Sequence, residues 1–101
     1  MRIKKVEGKN NKYKVLIYAL STCMWCTYAK RLLRKYDVEH EYIDVDYTSE
    51  KEKKEIEKDI ISKGGTLHFP IIIIDDKIVI NGFKKDKILE VLEIGNAWRS
   101  P

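Results

Sequence analysis

"LSTCMWCTYAKRLL", residues 20–33, sets two cysteines three positions apart, directly after an apolar run and directly before a helical pattern. Cys23 and Cys26 are the only cysteines in the 101-residue chain. Such a pair can be a structural bridge, half of a zinc site, or two thiols that exchange electrons with other molecules. Beyond them, Cys26, Ala29, Leu33 and Tyr36 recur at helical spacing, while Lys30, Arg31, Arg34 and Lys35 fall largely on the other side. An amphipathic helix therefore begins at the cysteines.

A thiol attacks a disulfide only as its thiolate, so a redox pair needs something that favours the anion. Ser21 and Thr22 are cap-forming residues, which places Cys23 at the first helical position, facing free backbone N–H groups and the positive end of the helix dipole. No Lys or Arg lies within six residues before Cys23 or three after it, so the helix terminus is expected to dominate. Cys26, one turn on, falls on the apolar stripe and should be the more buried and less acidic thiol. In that arrangement Cys23 attacks and Cys26 resolves the mixed disulfide without large backbone movement. Met24 and Trp25 lie off the stripe, with Trp25 at the rim, where an indole can shield the disulfide and contact a partner.

Outward from this segment, "YKVLIYAL" before it reads as a buried central strand, and Arg2–Glu7 with the turn-prone "GKNNK" as a strand able to hairpin into it. "EHEYIDVD", residues 39–46, alternates and reads as a strand parallel to the first through a right-handed crossover. A second helix spans about Ser49 to Ser62, with Ser49 as cap, Glu52 three residues on, and Ile56 and Ile60 as its buried stripe; Glu50 and Lys54 are spaced to pair. "KGG" at 63–65 stops it. "IIIIDDKIVI" is an antiparallel hairpin turning at Asp75-Asp76-Lys77, and a third helix follows from about Lys84 to Glu93, with Asp86 in its first turn. The tail "GNAWRSP", with Trp98, lacks periodicity and should fray or pack over the last helix. The order is βαβ, α, ββα.

Length and composition set the limits. The chain is one domain: residues 1–13 form an extension, either an edge strand or a trailing segment, 14–94 the folded unit, and 95–101 a tail. Charged residues at 36% and the lack of a membrane-length apolar run point to a soluble protein, and the basic start lacks the apolar core of an export signal, which points to the reducing cytoplasm. The net charge of +4 is spread along the chain and interleaved with acids, a poor footprint for nucleic acid. A structural disulfide across so short a loop would remove little unfolded-state entropy. A zinc site would need His40 and His68, irregularly spaced and on different elements. Redox exchange is the reading left ahead.

The chain resembles the thioredoxin superfamily, and within it the glutaredoxin-like redoxins, through "TCMWC" after the central strand, "FP" at 69–70 before the hairpin, and "NGFKKD" at 81–86 leading into the last helix. The resemblance covers about residues 14–93. It implies an α/β thioredoxin fold, a four-stranded mixed β-sheet flanked by three helices, with Pro70 cis and facing the cysteines. A cis bond there would leave the backbone of Phe69 free to pair with an extended substrate. The activity implied is dithiol–disulfide oxidoreduction with Cys23 and Cys26 as the catalytic pair. Thr22, Met24, Trp25, His68, Phe69, Pro70, Gly82 and Phe83 are the residues expected to meet substrate, with Phe83 either lining the groove or packing under the third helix.

Glutathione-using relatives carry Pro-Tyr between the cysteines, Thr-Val before the cis-proline, and Gly-Gly followed by an Asp that holds the glutathione amine. This chain has Met24-Trp25, His68-Phe69, and Asn81-Gly82-Phe83 with lysines at 84 and 85. It looks more like the redoxins that serve ribonucleotide reductase and are reduced by a reductase enzyme. The expectation is a monomeric electron carrier without a bound cofactor or metal, acting on disulfide-containing proteins or small disulfides, and re-reduced by a reductase or a low-molecular-weight thiol. The rival is a glutaredoxin-type module in which Cys23 ligates an iron–sulfur cluster.

Overall fold

A computed structural model describes residues 2–94 of the chain. Its elements are β1 (Lys4–Val6), β2 (Val15–Ala19), α1 (Met24–Lys35), β3 (His40–Asp44), a 3-10 turn at Val45–Tyr47, α2 (Glu50–Ser62), β4 (Ile71–Ile74), β5 (Ile78–Asn81) and α3 (Lys85–Val91). The strands form one five-stranded mixed sheet in the order β1-β3-β2-β4-β5. This is the expected thioredoxin-like architecture with an N-terminal edge strand added. The tail, including Trp98, lies outside the described residues.

The two central strands carry most of the core. In β4, Ile72 and Ile74 pack with Val15, Ile17 and Ala19 of β2 under α1 and α3, while Ile71 and Ile73 face Ile56 and Ile60 of α2 with Tyr18. All four isoleucines of β4 are at most 1% exposed, because helices cover both faces. Antiparallel pairing sets Tyr18 opposite Ile71, so Pro70 and the end of β2 meet at the same edge of the sheet. Parallel pairing of β2 with β3 brings Ala19 opposite Asp44, and the segment after β3 to that edge as well.

Local chemistry explains the element ends. Ser49 accepts from the Glu52 N–H at 3.2 Å and Glu52 accepts from the Ser49 N–H at 3.0 Å, a closed capping box that holds the Glu52 carboxyl well below its ordinary range. Asp75 and Asp76 both have positive φ (53° and 58°), and the Lys77 N–H closes on the Ile74 carbonyl at 3.1 Å, the primed turn that matches strand twist.

Three expectations are corrected. β1 does not hairpin into β2: it pairs antiparallel with β3, Val6 opposite His40. The connecting segment instead threads beside the end of α1, where the Asn10 N–H donates to the Asp37 carbonyl and the Glu39 N–H to the Asn10 carbonyl, both at 2.9 Å. Gly8 is obligatory in that path, since a Cβ there would lie 2.4 Å from the Asp37 oxygen. β3 stops at Asp44, two residues short of the alternating pattern, as the chain turns into the 3-10 segment. On α2, Glu50 pairs with Lys53 at 3.3 Å, three residues on, in place of Lys54.

Candidate active site

The helix start differs from expectation in a way that bears on chemistry. Cys23 is itself the N-cap of α1, with extended backbone (φ −83°, ψ 118°), and Met24 is the first helical residue. Ser21 cannot cap, because its N–H donates to Asp46 Oδ1 at 2.9 Å and its hydroxyl donates to Asp46 Oδ2. The Cys23 N–H closes a turn on the Leu20 carbonyl at 3.1 Å. Together these contacts swing the Cys23 side chain into the capping role, and its sulfur accepts the Cys26 N–H at 3.2 Å. The Cys26 N–H thus points at the Cys23 sulfur at the N-terminus of a twelve-residue helix.

Cys26 is the more deeply buried thiol. It is 0% exposed, packed among Ala29, Leu33 and the β2 side chains. Burial above all, then the neighbouring Cys23, pushes its pKa up to about 12, while a backbone hydrogen bond from Leu20 and the Lys30 ammonium pull the other way. Both cysteines are free thiols, Cys23 half-buried.

Around them, Thr22, Met24 and Trp25 are exposed, Met24 at 63% and Trp25 at 57%. Trp25 does not stand alone. Its ring stacks on Phe83 at 6.1 Å and meets the edge of Tyr28 at 5.6 Å, and Tyr28 lies 6.2 Å from Phe83. Phe83 also packs, half-buried, against the core cluster that contains Cys26, Ile88 and Leu89.

The Phe69–Pro70 bond is cis, and Pro70 is buried. Phe69 is half-buried and touches the apolar clusters on both faces of the sheet. Its approach is held from β5: Asn81 donates to the Thr66 carbonyl at 2.7 Å and accepts the Thr66 N–H at 3.1 Å, and the Gly82 N–H donates to the Pro70 carbonyl at 2.8 Å. Gly82 sits at φ +80° with open space around it, so conformation and not room selects glycine. His68 is exposed in the same loop. His40 lies elsewhere, 2% exposed at the start of β3, with Nδ1 2.9 Å from the Val38 carbonyl. Among the described residues no group of three or more His, Cys, Asp or Glu could hold a metal ion. No helix among them is long and apolar enough to cross a membrane.

Reading residues one segment at a time misses Asp46, Tyr28 and Asn81. Asp46 could have been found only from the parallel β2–β3 pairing, which brings its segment to Ser21. Tyr28 stands one helical turn after Trp25 and, at 38% exposure, belongs to neither the buried stripe nor the charged face.

The model of the glutaredoxin family matches residues 15–79. Glutaredoxin 1 of Rickettsia prowazekii is 38% identical over 69 residues, which cover 68% of this chain and 70% of that protein. Among solved structures, a glutaredoxin from Methanosarcina mazei superposes with a TM-score of 0.80 at 36% identity, over 91% of this chain and 88% of that one. Methanoredoxin from Methanosarcina acetivorans gives 0.73 at 39% identity, over 78% and 83%. With the paired thiols on their helix start and the cis-proline strand beside them, the chain belongs to the glutaredoxin family of thiol–disulfide oxidoreductases.

Proposed function

We propose that the protein is a two-thiol reductant of disulfides, with Cys23 as nucleophile, Cys26 as resolving thiol, and a reductase enzyme in preference to glutathione as electron donor. The observation that carries the reading is the asymmetry of the pair: a half-buried sulfur that receives a backbone N–H, one turn from a fully buried thiol whose pKa is pushed up to about 12. The Cys23 thiolate attacks a substrate disulfide, forming a Cys23–substrate bond and expelling one substrate thiolate. Cys26 loses its proton and attacks the Cys23 sulfur, so the Cys23–Cys26 bridge forms as the second substrate thiol leaves. Two electrons pass from the protein pair to the substrate, and the external donor returns them.

The order of events is built into the acidity of Cys26. Part of what raises its pKa is the neighbouring Cys23, through a hydrogen bond and through charge. Once Cys23 is tied up in the mixed disulfide, that influence is gone, and Cys26 ionises more readily at the step that needs it.

Against glutathione stands the segment after β5. Where glutathione-using relatives place an acid for the tripeptide amine, this chain has Lys84 and Lys85, both exposed, and Phe83 stacked on Trp25. In this reading Thr22, Met24, Trp25, His68, Phe69, Pro70, Gly82 and Phe83 are the residues that contact substrate. Two measurements test the reading. Cys23→Ser should abolish disulfide reduction, and Cys26→Ser should accumulate a mixed disulfide visible by mass spectrometry; full turnover by Cys23→Ser would overturn the assignment. The oxidised protein, offered separately to glutathione, a thioredoxin reductase and a ferredoxin-linked reductase, should regain free thiols with a reductase; rapid reduction by glutathione alone would sink the choice of donor.

A further inference from the structure

Beside the cysteines, between α1 and the start of α3, runs an open groove of about 380 Å3. Its floor is apolar: the Trp25, Tyr28 and Phe83 rings with the flank of Leu32. Its rim is cationic, with Arg31, Lys35 and Lys85 all exposed. None of the three has an acidic partner among the ion pairs of the described residues, although elsewhere Lys5, Lys12, Lys14, Lys30, Lys53 and Lys63 each do. No acidic side chain lines the groove.

We infer that this groove docks an acidic segment of a protein partner, an extended stretch with an apolar side chain on the aromatic floor and carboxylates along the rim, next to the disulfide that Cys23 attacks. It rests on the reading of Cys23 and Cys26 as a protein-disulfide reductant, and names the kind of protein that they serve. Three observations commit it to a peptide segment. From Trp25 to Lys35 the helix rises about 15 Å, the length of roughly five residues of extended chain and more than a small thiol spans. An aromatic patch ringed by cations that have no acidic partner among the described residues offers both an anchor and complementary charge, the anatomy of a recognition surface. A second copy of this chain, at net charge +4, would bring like charge to the rim.

The test uses two synthetic peptides, each with a cysteine blocked as its thiopyridyl disulfide. One continues into a stretch of Glu and Asp around a leucine, and the other has Gln and Asn in place of the acids. Attack by Cys23 on the peptide sulfur releases thiopyridone, followed by absorbance, and Cys26 then frees the peptide thiol. The quantity read is the ratio of the two rates, which a general loss of activity does not move. The full chain at low salt should favour the acidic peptide roughly tenfold. The preference should vanish in Arg31→Glu/Lys35→Glu/Lys85→Glu, with folding checked by circular dichroism, and at about 0.5 M salt, where screening acts within a few ångströms. Equal rates for the two peptides, or a preference that survives charge reversal, would overturn the inference, as would the same gain for a small anionic aromatic disulfide. A chain that reduces neither peptide nor hydroxyethyl disulfide would instead refute the dithiol chemistry beneath it.

Discussion

Two residues with the same sequence neighbourhood, Cys23 and Cys26, end in opposite states because one precedes the first helical turn and the other lies inside it. The polarity of the site therefore depends on where α1 starts, and Asp46 sets that start by occupying both Ser21 donors. Burial has a different consequence at His40. Its Nε2 is buried without a hydrogen-bond partner among the described residues, and burial first, then the Arg34 and Lys30 charges, lowers its pKa below 6.5 against the pull of the Val38 carbonyl. The unfolded chain takes up that proton at a pH where the native protein does not, so unfolding becomes easier as pH falls through 6.5 toward the folded value. Thermal melts at descending pH should show this loss, and His40→Gln should flatten the slope over that window. An unchanged slope in the variant would show that His40 does not carry it.

At the scale of elements, each helix is started by a different device. α2 has a complete capping box, and Ser49→Ala should lower stability by about 1 kcal/mol without altering disulfide reduction, read from the urea midpoint. α1 is capped by the Cys23 sulfur, a weaker acceptor than oxygen. α3 has Lys84 at its N-cap with no side-chain bond, and Asp86 in the first turn complements its dipole. α2 is further tied to the sheet where Tyr18 donates to Asp59 at 2.8 Å, with Lys63 on the same carboxylate. Burial resists the charge on Asp59, but these two donors outweigh it and hold its pKa below the ordinary range, while burial and the Asp59 charge raise that of Tyr18.

Over the whole molecule, the sheet is a rigid platform that brings three separate chain segments, the ends of β2 and β3 and the start of β4, to one edge. Ile72 sits at its middle, paired with Ile17 on one side and Ile80 on the other, and is fully buried. Ile72→Ala should cost about 3 kcal/mol, measured by denaturant unfolding; a loss under about 1 kcal/mol would mean the core closes over the gap. Much of this was legible in the chain. Periodicity located three helices and the hairpin, Ser49 and Glu52 announced the capping box, and the Cys23–Cys26 spacing after a buried strand identified the chemistry, because those signals act between residues a turn or a pleat apart. The pairing of β1 with β3, the Ser21–Asp46 contact that moves the helix start by one residue, the Asn81 clamp on Thr66 and the Trp25–Tyr28–Phe83 cluster were not legible. Each joins segments distant along the chain, and only strand order and register, settled by burying both faces of the sheet at once, determine which of them meet.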